Sequence, residues 1–423
     1  MSIDVPRRRQ QADAIAMNLA ASNRVKETRV GILFVIGSLQ VGGAERHLVS
    51  VAIALHRLGR SVAVYSASGD GPLRPELERG GVTVLFPPLK RRLGPIPAYM
   101  RSLYLLVTVA HLLRVMLSLS PEIVHFFLPE AYVIGAPLAV LARRPLRIMS
   151  RRSLNVYQTR RPLLKYLEPP LHRWMTAILG NSRRVVHQLE GEGIERERLG
   201  LIYNGIDLSR VVPERDRPAV RASLGLAQNT LAMTIVANLI PYKGHSDLFR
   251  ALASRQQGLP QDWRLLVVGR DDGIGASLKD EARAMGIAGN ISFLGSRNDV
   301  LDILAASDIG ILCSHEEGFS NAVLEGMAAA LPMIVTDVGG NAEAVIDGEC
   351  GLVVPPRDPQ RLGSAIVTLA RDSAMRLGLG EAARQRVNSS FTFEKCIESY
   401  DTFYSELRAG FLPKDIAAIH PQI

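Results

Sequence analysis

Short apolar runs with no helical period alternate along this chain with stretches in which apolar positions recur every three or four residues. The first run is Arg29 to Ile36 (RVGILFVI), followed by the glycine loop Gly37 to Gly43 (GSLQVGG) and a helix pattern from about Ala44 that stops at Gly59. Runs too short for helices and bounded by glycine turns predict strands buried on both faces of a parallel sheet. In the first half such runs recur at Ser61–Ala67, Val82–Phe86, Pro121–Phe127, Thr176–Gly180 and Leu199–Tyr203, with long helices predicted over Pro97–Leu119 and Glu130–Ala142. Asn181-Ser182 is placed to cap the helix after Thr176–Gly180. The second half repeats the rhythm at Leu231–Ala237, Trp263–Gly269, Ile291–Leu294, Ile309–Cys313, Met333–Thr336 and Leu352–Val354.

Strand and helix alternating in this way predict an α/β protein of two Rossmann-like, doubly wound parallel-sheet domains facing each other across a cleft. The expected divisions are a polar, mobile N-terminal extension (1–28), an N-terminal domain (29–205), a C-terminal domain (206–390) and a final helix (391–410). Polar and charged sequence after Asn204-Gly205-Ile206-Asp207, up to about Arg221, reads as the linker. The last helix carries Tyr400, Phe403, Tyr404 and Leu407 at i, i+3, i+4, i+7, the spacing of a docking face.

At 423 residues each domain is long enough to bury a core of its own. Three cysteines with no C-x-x-C spacing predict reduced, packed thiols in a cytoplasmic protein, and the first thirty residues lack the apolar core of a secretory signal. The net charge of +9 points to an acidic partner, and its distribution is uneven: from Arg79 to Lys165 there are fourteen Lys or Arg and two acids. Seven of these arginines fall between Arg143 and Arg161, a patch read as anion-seeking, with too few interleaved aromatics for single-stranded nucleic acid. The Pro97–Leu119 helix is short of an uninterrupted span because Arg114 breaks it. It reads either as a buried helix or as one laying an apolar stripe on anionic lipid beside Lys90, Arg91, Arg92, Arg101 and Arg114.

The densest chemistry lies in Ser314 to Pro332 (SHEEGFSNAVLEGMAAALP), after the Asp308–Cys313 run. The carboxyl ends of parallel strands are where open α/β sheets bind ligands. Glu317 precedes a glycine turn, Ser320 opens a helix, and free N–H groups around Phe319, Ser320 and Asn321 suit a phosphate or a polarised sugar oxygen. Glu325 sits in an otherwise apolar helix and needs polar partners, which ligand hydroxyls would supply. Either acid alone reads better as a solvated residue; the pair around Gly318-Phe319 is the unusual feature. Lys243, between a strand and a helix, is a candidate point charge for a diphosphate. His125 lies near the end of a predicted strand, and Asp271-Asp272-Gly273 reads as a turn, so no metal is expected.

Together Glu317-x₇-Glu325, Lys243-Gly244 in VANLIPYKGH, Gly42-Gly43-Ala44-Glu45-Arg46, His125 in EIVHFFLP and Asn204-Gly205-Ile206-Asp207 resemble the family 4 retaining glycosyltransferases, in family order from about residue 29 to 400. The resemblance implies a GT-B fold and transfer of a sugar from a nucleotide diphosphate sugar to a glycan or lipid-linked glycan, with no cofactor or bound metal and no nucleic-acid partner. It implies that His125 and Glu317 are catalytic, that Lys243 binds the diphosphate and Glu325 the ribose, and that backbone groups of Gly42, Gly43, Phe319, Ser320 and Asn321 approach sugar and phosphates. Asn238 also lines the donor site, where many members carry Arg; either Lys243 then acts with backbone donors alone, or an arginine from the basic N-terminal half contributes across the cleft. The resemblance also implies that the final helix (391–410) crosses back onto the N-terminal domain. The basic, apolar N-terminal half adds the expectation of a cytoplasmic setting, peripheral on an anionic membrane surface, in polysaccharide or glycolipid synthesis. A sugar-nucleotide epimerase of the same fold and a non-catalytic sugar-nucleotide-binding, membrane-associated protein are the alternatives.

Overall fold

The computed structural model describes residues 30–89, 98–210 and 215–419. The expected N-terminal extension, the Lys90-Arg91-Arg92 cluster and part of the linker lie outside these described residues.

Seven parallel strands form the first sheet: β1 (Ile32–Ile36), β2 (Val62–Ser66), β3 (Thr83–Leu85), β4 (Ile123–Phe127), β5 (Leu146–Arg151), β6 (Ala177–Gly180) and β7 (Leu199–Leu201), in the order β3-β2-β1-β4-β5-β6-β7. Six form the second: β8 (Leu231–Val236), β9 (Trp263–Val268), β10 (Ile291–Gly295), β11 (Ile309–Leu312), β12 (Met333–Thr336) and β13 (Gly351–Val354), in the order β10-β9-β8-β11-β12-β13. In each sheet the order reverses beside its first strand, β1 or β8, which is the switch point that opens a ligand crevice. The central strands β1, β4 and β11 are buried at every position, as continuous apolar runs between helical layers require.

Backbone compactness divides the chain into one unit up to Ser150 together with Leu164–Ile178, and another made of Arg151–Leu163 and everything from Leu179 onward. The 151–163 segment is tied into the second unit by charge: Arg151 Nη1 meets Glu192 at 2.5 Å, and Arg152 donates to Asn204 Oδ1. The supposed linker is likewise docked. Arg215 pairs with Asp299 and Asp302, and Arg221, 1% exposed, donates to the carbonyls of Ala227, Thr230 and Ala306. The final helix, Phe393–Arg408, buries all four residues of its expected docking face and belongs to the second unit.

One expectation changes, and the helix left with two readings falls between them. The Arg143–Arg161 run is not one open patch: it contains β5, missed because Arg147 and Arg151 interrupt the apolar signal. Both are satisfied by protein, Arg147 through the carbonyls of Trp174 and Arg144 and Arg151 through Glu192. The long helix, Ala98–Leu119, is only partly buried. Thr108, Leu112 and Met116 face inward, and Tyr104 Oη donates to the Ala67 carbonyl at 2.9 Å, whereas Leu103, Leu105, Leu106 and Leu117 are exposed. Among the described residues it is the one helix long and apolar enough to cross a membrane.

Candidate active site

The loop from Ser314 to Ser320 leaves the end of β11 and enters the helix Asn321–Ala328, with Ser320 in extended conformation at its N-cap. Small residues let this helix lie close: a Cβ at Gly310 or Gly326 would overlap the Met333 sulfur of β12. The loop's own backbone is clamped on both sides. A Cβ at Gly318 would overlap the Arg152 carbonyl oxygen, and one at Gly339, where φ is +54°, would overlap that of Glu317. Gly340 N–H then donates to Gly318 O at 2.6 Å. Phe319 is buried against Tyr203 and Phe391, with ring centroids 4.8 and 5.2 Å away. Asn204 Nδ2 donates to Phe319 O at 2.8 Å and Asn321 Oδ1 at 2.7 Å, so the Asn-Gly-Ile-Asp motif supports the helix start directly.

Lys243 arrives from the tight turn Pro241–Lys243, which closes on Gly244 at φ +74°. Its ammonium is 2.6 Å from Glu317 Oε1, and Ser314 Oγ donates to the same oxygen at 2.7 Å. Burial draws the Lys243 pKa down, but the charge and hydrogen bond of Glu317 outweigh this and leave it above its ordinary value. His315 fixes the loop to the same turn: its N–H donates to Tyr242 O at 2.7 Å, and its Nε2 lies 2.7 Å from Asp247 Oδ2. Glu316 pairs with Arg160 at 2.5 Å, and the Arg160 guanidinium lies over the Tyr242 ring, 4.7 Å from its centroid.

The structure thus joins Lys243 to Glu317 in direct contact and puts Phe319, Ser320 and Asn321 on the same loop and helix start. Glu325 is half-buried on that helix, and Asn238, just past β8, accepts from Arg270 N–H at 3.2 Å. Gly42 and Gly43 belong to the first unit and start the helix Gly43–Arg57; nothing lies within 4 Å of where a Cβ on Gly43 would stand. His125 keeps its expected place near the carboxyl end of a strand, but its side chain is enclosed. It is the third of five residues in β4, fully buried, with Nε2 2.7 Å from Ser150 Oγ and its ring 4.6 Å from that of Phe127. The Asp271-Asp272 pair serves the loop itself, Asp271 accepting from the N–H groups of Gly273, Ile274 and Gly275 and Asp272 pairing with Arg270.

Sequence reading missed Arg160, Glu316, Tyr242 and the His315–Asp247 pair. The signal for Glu316 and His315 was present, since both flank Glu317 in the same motif. Arg160 was visible only as a member of the basic run from Arg143 to Arg161; its place beside Glu316, 156 residues away, gave no signal.

Chemically, the strand end offers a cation locked to a carboxylate beside a helix start, a site that can exchange its own carboxylate for an anionic ligand. His245, at the root of the turn, carries a measurable consequence. Burial first, and then the Lys243 charge, push its pKa from 6.5 down to about 4. The unfolded chain therefore binds the extra proton more readily, so the contribution to stability is complete above the unfolded value and is lost as pH falls toward the folded one. Urea unfolding at about pH 5 is expected to show about 2 kcal/mol less stability than at neutral pH from this group. His245→Phe should remove that part of the slope.

Residues 216–386 match the family model described as glycosyl transferases group 1, and residues 41–210 that described as Glycosyltransferase Family 4. A D-inositol 3-phosphate glycosyltransferase of Rhodococcus erythropolis is 32% identical over 255 residues, 57% of either chain. An N-acetyl-alpha-D-glucosaminyl L-malate synthase of Bacillus anthracis is 29% identical over 206 residues, 49% of this chain and 53% of its own. The chain spans about half the length of the curated relatives it matches. Among solved structures, HepE of Anabaena in complex with UDP is similar at a TM-score of 0.77 and 23% identity, covering 89% of this chain and 100% of that one. Sucrose-phosphate synthase of Thermosynechococcus elongatus gives 0.74 at 21% identity, covering 90% and 100%. At these identities the likeness carries the fold, two parallel-sheet α/β domains of the GT-B kind.

Proposed function

The chain belongs to the family 4 glycosyltransferases, and from that premise we propose that it moves a sugar from a nucleotide diphosphate sugar to a glycan acceptor with retention at the anomeric carbon. The observation that carries this reading is the Lys243–Glu317 pair at the mouth of β11, beside the helix start at Ser320. As the glycosidic bond breaks, charge builds on the departing diphosphate, and donors already fixed there stabilise the transition state more than the ground state. Lys243 and the N–H groups of Phe319 to Asn321 take this role, with no metal required for it. Glu317 faces the donor sugar, Glu325 holds the ribose hydroxyls, and Asn238 lines the nucleotide. In the first unit, the open backbone at Gly43, with Gly42, approaches sugar and phosphates. His125, enclosed and bonded to Ser150, contributes by holding the end of β4 rather than by touching the sugar.

The acceptor we propose is lipid-linked, in polysaccharide or glycolipid synthesis on the cytoplasmic face of a membrane. What favours it is the exposed surface of the helix Ala98–Leu119, where Leu103, Leu105, Leu106 and Leu117 stand in water with Arg101 and Arg114. Apolar surface beside cations is what an anionic bilayer takes up. The test is transfer of labelled sugar from a panel of nucleotide sugars to lipid-linked acceptors in anionic vesicles, with EDTA present. Transfer with retained anomeric configuration and co-flotation with the vesicles is the expected result. Donor conversion without acceptor would favour the epimerase, and binding without turnover the non-catalytic reading.

A further inference from the structure

Four charged side chains meet around one aromatic ring in the second unit. Lys243 Nζ lies 5.5 Å from the Tyr242 centroid and the Arg160 guanidinium 4.7 Å from the same centroid. Each cation is held by one of two adjacent carboxylates, Lys243 by Glu317 at 2.6 Å and Arg160 by Glu316 at 2.5 Å. The pairs are not alike. Lys243 and Glu317 are mostly enclosed, whereas the Arg160 side chain is half exposed on the turn Tyr157–Arg160. An exposed pair of this kind contributes little to folding, yet it keeps a guanidinium fork at the same strand end as the buried ammonium. The His315 peptide, hydrogen-bonded to Tyr242, fixes the spacing between the two acids and the ring that carries both cations.

A diphosphate has two phosphoryl groups, and one ammonium neutralises only one of them. A planar guanidinium binds a second phosphoryl through paired N–H groups, which an ammonium does not match. Resting on the donor-site reading above, we propose that Arg160 is the second diphosphate cation of the site, exchanging Glu316 for a phosphoryl oxygen when the nucleotide binds. Tyr242 is the common support that keeps Arg160 and Lys243 together, and Glu316 is the carboxylate that occupies the fork until the diphosphate replaces it.

Opposite effects of the two partners distinguish this from a merely structural ion pair. Titration calorimetry with UDP, GDP and ADP first selects the nucleoside diphosphate that binds the wild-type chain. Arg160→Gln is then expected to weaken its affinity about tenfold or more, and Arg160→Lys to weaken it less. Glu316→Gln, which frees the fork, is expected to tighten it. The affinity of the matching nucleoside, which lacks phosphates, should be the same in all of them. The inference is overturned if Arg160→Gln binds the diphosphate as the wild type does, or if Glu316→Gln weakens binding as much as Arg160→Gln. If Lys243→Ala weakens binding while Arg160→Gln does not, the donor site stands and Arg160 falls out of it. If none of the three diphosphates binds the wild type, the donor-site reading falls and this role with it.

Discussion

Lys243→Ala is expected to lower kcat for sugar transfer by about 10²–10³-fold, the usual effect of removing one preorganised donor at a developing charge. The drop in kcat should exceed the rise in KM, since the ammonium does most when the leaving diphosphate carries its full charge. Glu317→Gln should fall in the same range, because it removes the carboxylate we propose to face the sugar and leaves Lys243 without its ion-pair partner. Both variants should still fold. In Lys243→Ala the Glu317 carboxylate retains Ser314 as a hydrogen-bond donor, so the stability cost is about 1–3 kcal/mol. Steady-state kinetics with circular dichroism melting checks both halves, and wild-type turnover in either variant removes that residue from the mechanism. The raised pKa adds a sign. The pair's stabilising contribution is present below the unfolded lysine value of 10.5 and is lost only as pH climbs through the higher folded value. Activity should therefore show no alkaline fall attributable to Lys243 across the neutral range.

Gly244→Val is expected to be the most damaging single change for folding, at about 3 kcal/mol or more. Two causes act together. The residue has φ +74°, which a β-branched side chain adopts only with strain, and its Cβ would overlap the Cys313 carbonyl oxygen. Relief means moving the Lys243 turn away from β11, so activity should fall with stability, and activity assayed alongside urea unfolding should show both losses. Gly43→Val is the contrast. Its Cβ has open space, so stability should change by no more than about 1 kcal/mol, while KM for the donor rises if nucleotide or sugar approaches that backbone. Equal stability in Gly244→Val and wild type would show that the turn has slack.

Much of the fold was legible because buried parallel strands advertise themselves: ILFVI, IVHFF and IGIL are apolar at every position but His125 and the glycine, and each proved to be a central strand. Where that signal is diluted the reading fails. β5, LRIMSR, carries two arginines whose partners include the Trp174 carbonyl and the Glu192 carboxylate, both from distant sequence, and no local pattern reports such partners. The long helix Ala98–Leu119 misleads in the other direction, since apolar content alone does not distinguish a stripe packed inward from one left outside. At the candidate site, the acids and the lysine were visible as residue types at strand ends. Their pairing was not, because Lys243 and Glu317 are 74 residues apart and the contact depends on how β8 and β11 lie side by side. His125 shows the limit of reading by strand end: its place two residues before the end of β4 was legible, and the enclosure of its ring against Ser150 and Phe127 was not.

The glycines around the strand-end loop also bear on how this site can be re-engineered. Gly318, Gly339 and Gly340 leave no volume for a side chain, because each would place a Cβ against backbone or the Phe319 ring. A library randomised through the loop would therefore yield mostly misfolded clones. Variation aimed at the proposed donor site belongs at Asn238 and Glu325, half-buried positions where side chains can change size and polarity while the loop backbone stays in place.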